Sequence, residues 1–240
     1  MDHSLRIGLE LPALPAGAGQ REVAAWVALA TAAERAGFGA LWIGGTACDP
    51  CTLAGGLVPL TDTIVLGVVC ELAGDRHPAV LARDLTGLDV VSGGRSALLL
   101  VGPTGEAGGG GALGEAASIC RALFDGEAPH LAGRHYSVEG AVNRPGPTRP
   151  GGPILLGQPS TGEPVPFGQS GQSDPVPVDG WVVTSQPAAV DGPVLWRGAV
   201  PDADFASALL AAGISGVVAR TTADGDLDAL ADILRGGWGG

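Results

Sequence analysis

Residues 64–95, IVLGVVCELAGDRHPAVLARDLTGLDVVSGGR, constrain the fold more than any other part of the chain. Ile64, Val65, Leu66, Val68 and Val69 form an apolar, mostly β-branched run with no polar alternation, the pattern of a strand buried on both faces of a parallel sheet. His77-Pro78 opens a helix, since proline at a first-turn position gives up an N–H that has no helical partner anyway. Val80, Leu81, Leu85, Leu88 and Val91 then recur at three- and four-residue spacing along one face, and Gly93-Gly94 ends the run. Arg95 leads into ALLLV, a second buried strand, which makes the segment one βαβ unit with a right-handed crossover.

The same alternation extends in both directions. A strand is predicted over residues 5–11, and a helix over 20–36 with Val23, Trp26, Val27, Ala30 and Ala33 on one face and Gly37 as its stop. A strand over 40–43 follows, then a helix started by Asp49 as N-cap and Pro50 in the first turn. Beyond Val101 the glycines of AGGGGA lack the Lys-Ser/Thr ending of a phosphate-binding loop, and they read as a flexible link ahead of a helix over 113–124. HLAGRHYSV reads as a small hairpin around Ala132-Gly133. Strands at 154–156, 180–183, 194–196 and 216–220 complete a set of eight, with a helix over 205–212 capped by Asp202 or Asp204 and a last helix over 227–234.

This pattern predicts an α/β fold of the (β/α)8 TIM-barrel type, pared down so that one or two outer helices give way to Pro/Gly-rich loops. Residues 1–240 form a single barrel domain, with 158–179 as a low-complexity connecting loop whose Pro, Gly and Ser content does not sustain a helix. Phe167, its one large apolar residue, is placed to dock across the open flank of the barrel or else to stand in solvent.

Charge and cysteine usage bound the partners. A net charge of -12 argues against nucleic acid, which needs basic phosphate contacts. The first residues lack a charged segment followed by an apolar core, and no apolar run approaches a membrane span, so a cytoplasmic protein is expected. Cys48 and Cys51 form one CxxC while Cys70 and Cys120 stand alone. A structural zinc site wants four ligands, so no metal is expected and the thiols read as free, with a redox pair as the competing assignment.

Several stretches in this order resemble the luciferase-like monooxygenase family. They are AAERAGFGALWIG (32–44), DPCTLAGGLVPLTDTIVLG (49–67), RHPAVLAR and SGGR within the central unit, ICRALFDGEAPHLAGRHYSVEGA (119–141), PILLG (153–157) and VDGWVV (178–183). The resemblance implies a flavin- or deazaflavin-dependent oxidoreductase, in particular a monooxygenase, using FMN or 8-hydroxy-5-deazaflavin (coenzyme F420) on a small organic substrate. Its alternative is an inactive flavin-binding protein, or the partner subunit of a heterodimer with a full-length relative.

In such barrels the chemistry lies at the C-terminal ends of the strands. Gly44, Val69, Cys70, Gly102, Gly157 and Gln158 are therefore the expected cofactor-binding positions, and Glu71 and Cys70 the expected catalytic ones. The resemblance places a bulge or a non-prolyl cis peptide at Val69-Cys70, backing the ring. Glu71 is expected as a buried carboxylate suited to proton transfer, or paired with Arg95 or Arg76. The family often carries an acid or His at the end of the second strand, where Gly44-Gly45 stand here. His77 reads as a helix cap rather than a catalytic base, and His130 and His135 as exposed loop residues. A homodimer or heterodimer through the Leu53, Leu57, Val80 and Leu81 faces is expected as well.

Overall fold

A computed structural model describes residues 5–45, 48–72, 76–102, 109–149, 152, 154–157, 179–183, 193–220 and 226–238. Gln158, Phe167 and nearly all of the connecting loop lie outside the described residues.

In chain order the elements are β1 (Ile7–Glu10), α1 (Gln20–Arg35), β2 (Ala40–Ile43), α2 (Pro50–Leu57), a 3-10 turn (Val58–Leu60), β3 (Val65–Glu71), α3 (Pro78–Ser92), β4 (Ser96–Val101) and α4 (Gly109–Phe124). They continue with the hairpin β5 (His130–Ala132) and β6 (Ser137–Glu139), then β7 (Ile154–Gly157), β8 (Gly180–Val183), β9 (Val194–Gly198), α5 (Ala203–Ala211), β10 (Gly216–Arg220) and α6 (Leu227–Trp238). Eight strands close into a barrel in the order β1-β10-β9-β8-β7-β4-β3-β2, every pair parallel. The helices between them are the crossovers that parallel pairing requires.

The local signals act as expected. The Asp49 carboxylate accepts from Thr52 N at 2.8 Å with Pro50 behind it, and the His77 ring accepts from Ala79 N at 3.1 Å with Pro78 as first helical residue. Gly93 ends α3 with φ 70°, a left-handed conformation that costs a side-chain-bearing residue more than it costs glycine. Asp202, not Asp204, caps α5 by accepting from Phe205 N at 2.8 Å.

Two helices run further than the sequence predicts. α4 already starts at Gly109, so the glycines enter the helix rather than staying a loose link. Burial of Leu113, Ala116, Ala117, Cys120 and Leu123 outweighs the roughly 1 kcal/mol that each glycine costs a helix. α6 extends to Trp238, whose ring is buried and donates to Ile214 O at 2.9 Å.

The pleat divides the core in two. Leu9, Leu41, Ile43, Leu66, Val68, Leu98 and Leu100 face outward and meet the helices. Ala40, Trp42, Val65, Val69, Ala97, Leu99, Val101, Leu155, Val182, Leu195 and Val218 fill the interior. Trp42 is the large member of that inner layer, and its neighbours make room: a Cβ on Gly67 would lie 2.4 Å from Trp42 Cε3, and one on Gly8 2.6 Å from Nε1. Of the four residues expected at a subunit face, Leu57 and Leu81 are each 1% exposed and belong to the chain's own core, whereas Val80 is 51% exposed.

Candidate active site

The C-terminal ends of the strands carry two unlike half-rims. On one half stand β2, β3, β4 and β7. Val69 and Val101 are buried in the interior layer, and Gly44, Gly102 and Gly157 bring no side chain above them. The fit between strands is close, since a Cβ at Gly44 would lie 2.5 Å from Val69 Cβ and one at Gly157 2.9 Å from Leu99 Cδ1. Among the described residues the result is a largely apolar, side-chain-poor wall, with the Glu71 carboxylate at the rim end of β3.

β3 departs from the expectation at four points. Val69, Cys70 and Glu71 pair one for one with Leu99, Leu100 and Val101, so no bulge interrupts the ladder. The only cis peptide among the described residues is Arg144-Pro145, so the Val69-Cys70 peptide is trans. Cys70 follows an inward residue and therefore points outward, packed against the helix-facing core, where burial pushes its thiol up and keeps it protonated. Glu71 is exposed at the rim rather than buried. Neither expected arginine forms an ion pair with it among the described residues. Arg95 lies at the opposite end of β3, donating to Thr61 Oγ1 and Ile64 O at 3.0 Å and to Val58 O at 3.2 Å, while Arg76 pairs with Asp49 and Asp84.

The other half-rim holds a charged cluster that strand-by-strand reading missed. Glu10 at the end of β1 accepts from two arginines. Arg197 of β9 donates from Nε at 2.8 Å and Nη2 at 2.7 Å, and Arg220 of β10 donates from Nε at 2.8 Å and Nη2 at 3.3 Å. Leu195 and Val218 lie in the barrel interior, and two residues further on Arg197 and Arg220 take the same inward direction. Burial alone would raise the Glu10 carboxyl, but the hydrogen bonds and charges of Arg197 and Arg220 outweigh it and hold the group below its ordinary value, so it stays ionised. The Arg197 side chain is 3% exposed, and its Nη1 is buried with no hydrogen-bond partner. The clue in the sequence was a charged residue closing an otherwise apolar strand, as in IGLE and VLWRG.

The remaining candidates stand apart from both half-rims. His77 caps α3 with Nδ1, its Nε2 meets Ser137 O at 3.0 Å, and its ring stands edge-on to Tyr136, which ties α3 to the hairpin. His130 and His135 are exposed on or beside that hairpin. In the CxxC, Cys48 is exposed while Cys51 is buried and its thiol is pushed up to about 12, a poor start for thiolate chemistry. Among the described residues no three His, Cys, Asp or Glu gather as metal ligands, and no helix is long and apolar enough to cross a membrane.

A closed parallel barrel with its distinctive groups at the C-terminal rim is the layout of a barrel enzyme. The family model for luciferase-like monooxygenases matches residues 9–165, and the chain belongs to that family. No curated protein matches it by sequence. Among solved structures it is similar to the coenzyme F420-dependent tetrahydromethanopterin reductase from Methanopyrus kandleri, with TM-score 0.66 and 14% identity over 96% of this chain and 97% of that one. An F420-dependent secondary alcohol dehydrogenase in complex with an F420-acetone adduct superposes with TM-score 0.59 and 13% identity, covering 85% of this chain and 73% of the other. The oxygenating constituent of 3,6-diketocamphane monooxygenase from Pseudomonas putida, in complex with FMN, gives 0.58 and 15%, covering 85% and 70%.

Proposed function

We propose that this chain is an oxidoreductase that binds FMN or the deazaflavin F420 at the C-terminal rim of its barrel and acts on a small organic substrate. The observation that carries this reading is the apolar, side-chain-poor half-rim of Gly44, Val69, Val101, Gly102 and Gly157. It suits one face of a flat aromatic ring system, which buries area against valines and tolerates no protruding side chain. Family membership and neighbours that bind F420 or FMN point the same way. Gln158, the residue after Gly157 in sequence, lies outside the described residues and is kept in the proposed ring site from the sequence alone.

When bound, the cofactor supplies hydride or oxygen-transfer chemistry. The chain's own contribution is to hold and shield the ring and to orient the substrate opposite it. Cys70 does not touch the ring in this arrangement, because its side chain lies on the outer face of β3. Glu71, exposed at the rim, is kept as the candidate for exchanging a proton with substrate.

Titration of the purified chain with FMN and with F420, followed by fluorescence quenching, tests the proposal. Saturable binding of one of them, weakened when Gly157→Leu fills the wall, is the expected result. No saturable binding by a folded sample overturns it.

A further inference from the structure

The Cys48 and Cys51 thiols bracket the start of α2. Asp49 between them is the N-cap and Pro50 the first helical residue, so Cys51 is the second residue of the helix and Cys48 stands one residue outside the cap. Both intervening residues are held in place. The Asp49 carboxylate accepts from Thr52 N at 2.8 Å and Thr52 Oγ1 at 2.9 Å and pairs with Arg76, while the ring of Pro50 locks its own φ. The short chain between the two sulfurs therefore has little freedom left to lose when they are joined. The thiols also differ in access. Cys48 is exposed, whereas Cys51 is 8% exposed and packed into the helix-facing core. Burial first, then the charges of Asp49 and Asp84, keep the Cys51 thiol protonated, so a reagent arriving from solvent meets Cys48.

We infer that Cys48 and Cys51 are a reversible dithiol–disulfide site across the N-cap of α2, exchanging with low-molecular-weight disulfides. With glutathione disulfide as oxidant, Cys48 releases its proton and its Sγ bonds one glutathione sulfur, while the glutathione S–S bond breaks and one glutathione thiolate leaves. Cys51 then releases its proton and its Sγ bonds Cys48 Sγ, which breaks the mixed disulfide and frees the second glutathione. The two protons end on the two glutathione molecules. Two cysteine thiols are thus oxidised to one disulfide, and one glutathione disulfide is reduced to two thiols. Exposure gives Cys48 the first step, and burial beside it gives Cys51 the second. The site stands at the C-terminal side of the barrel, where the Asp49–Arg76 pair joins the β2–α2 connection to the β3–α3 connection. It is independent of the oxidoreductase reading, since neither flavin nor substrate takes part.

The test uses the whole reduced chain, equilibrated with mixtures of glutathione and glutathione disulfide. Remaining thiols are alkylated, and the products are read by intact mass and peptide mapping. Cleavage before Asp49 and before Asp62 puts Cys48, Cys51 and Cys70 on separate fragments, so each pairing is told apart. Wild type is expected to lose two hydrogens, to link the fragments of Cys48 and Cys51 and to retain no glutathione. Its equilibrium constant for oxidation should exceed that of the same chain in urea, where the cap is lost, by about tenfold or more. Cys51→Ala is expected to keep one glutathione on Cys48, because the second thiol is gone. Cys48→Ser, a change at an exposed position that leaves the core untouched, is expected to form no disulfide under conditions that oxidise the wild type. Four results overturn the inference: no Cys48–Cys51 link in the folded chain, a link from Cys51 to Cys70 or Cys120 in its place, an equilibrium constant no larger than in urea, or a folded Cys51→Ala chain that takes up no glutathione at Cys48.

Discussion

At the scale of single residues, the barrel interior turns on how one indole is accommodated. Trp42 is fully buried, and the strands on either side carry Gly8 and Gly67 against it. A methyl group at 67 would meet the ring at 2.4 Å and at 8 its Nε1 at 2.6 Å, too close for either neighbour to yield by a small shift. Gly67→Ala is therefore expected to destabilise the chain by about 1–3 kcal/mol, read from the urea midpoint, as overpacking of a filled core does. Trp42→Phe in the same background should recover part of that loss, because the smaller ring vacates the space. Two glycines flanking a tryptophan across three strands left no local signal. In sequence they read only as interruptions of apolar runs.

At the scale of elements, two charged side chains join pieces that the pattern shows separately. Arg95, which follows α3, reaches back across the N-terminal end of the barrel to Val58 O, Thr61 Oγ1 and Ile64 O, fastening the 3-10 turn to the start of β3. Arg95→Ala leaves those acceptors in a half-buried place and is expected to cost about 1–3 kcal/mol in urea unfolding. Glu115 on α4 accepts from the backbone N–H groups of Arg134, His135 and Tyr136 at 2.8–2.9 Å and so clamps the turn of the hairpin. Glu115→Ala should speed hydrogen exchange at those amides by about tenfold or more, with little effect on amides of β3 and β4, because the hairpin lies outside the barrel and opens locally. The hairpin itself was legible from HLAGRHYSV, but its clamp was not, since Glu115 sits twenty residues earlier on a different kind of element.

At the scale of the whole molecule, several carboxylates act together. Desolvation would raise Glu10, Glu34, Asp49 and Glu115. The arginines on Glu10, the Arg76 guanidinium and Thr52 N–H on Asp49, and backbone N–H groups on Glu34 and Glu115 outweigh it and hold all four below their ordinary values. A carboxyl lowered in the folded state contributes stability that is present above its unfolded value and lost as pH falls through its folded one. The ordinary values are 4.5 for Glu and 3.8 for Asp, so the urea midpoint should hold steady from neutral pH to near 5 and drop below about 4.5. Glu10→Gln should start lower and fall less steeply over the same range. An equally steep fall would mean that the cluster contributes nothing to acid unfolding.

Local periodicity and capping were enough to establish the alternation of strands and helices, their approximate bounds and the barrel they imply, because each depends on residues within a turn or two of one another. Family resemblance came the same way, from short ordered motifs, most of them in the first 157 residues. The contents of the rim were a tertiary decision. Glu10 meets Arg197 across 187 residues and Arg220 across 210, and only closure of β1 onto β10 brings them together. Which side of a strand faces the lumen was equally out of reach: a shift of one residue turns Cys70 from ring wall to outer core, and register is settled by the whole sheet.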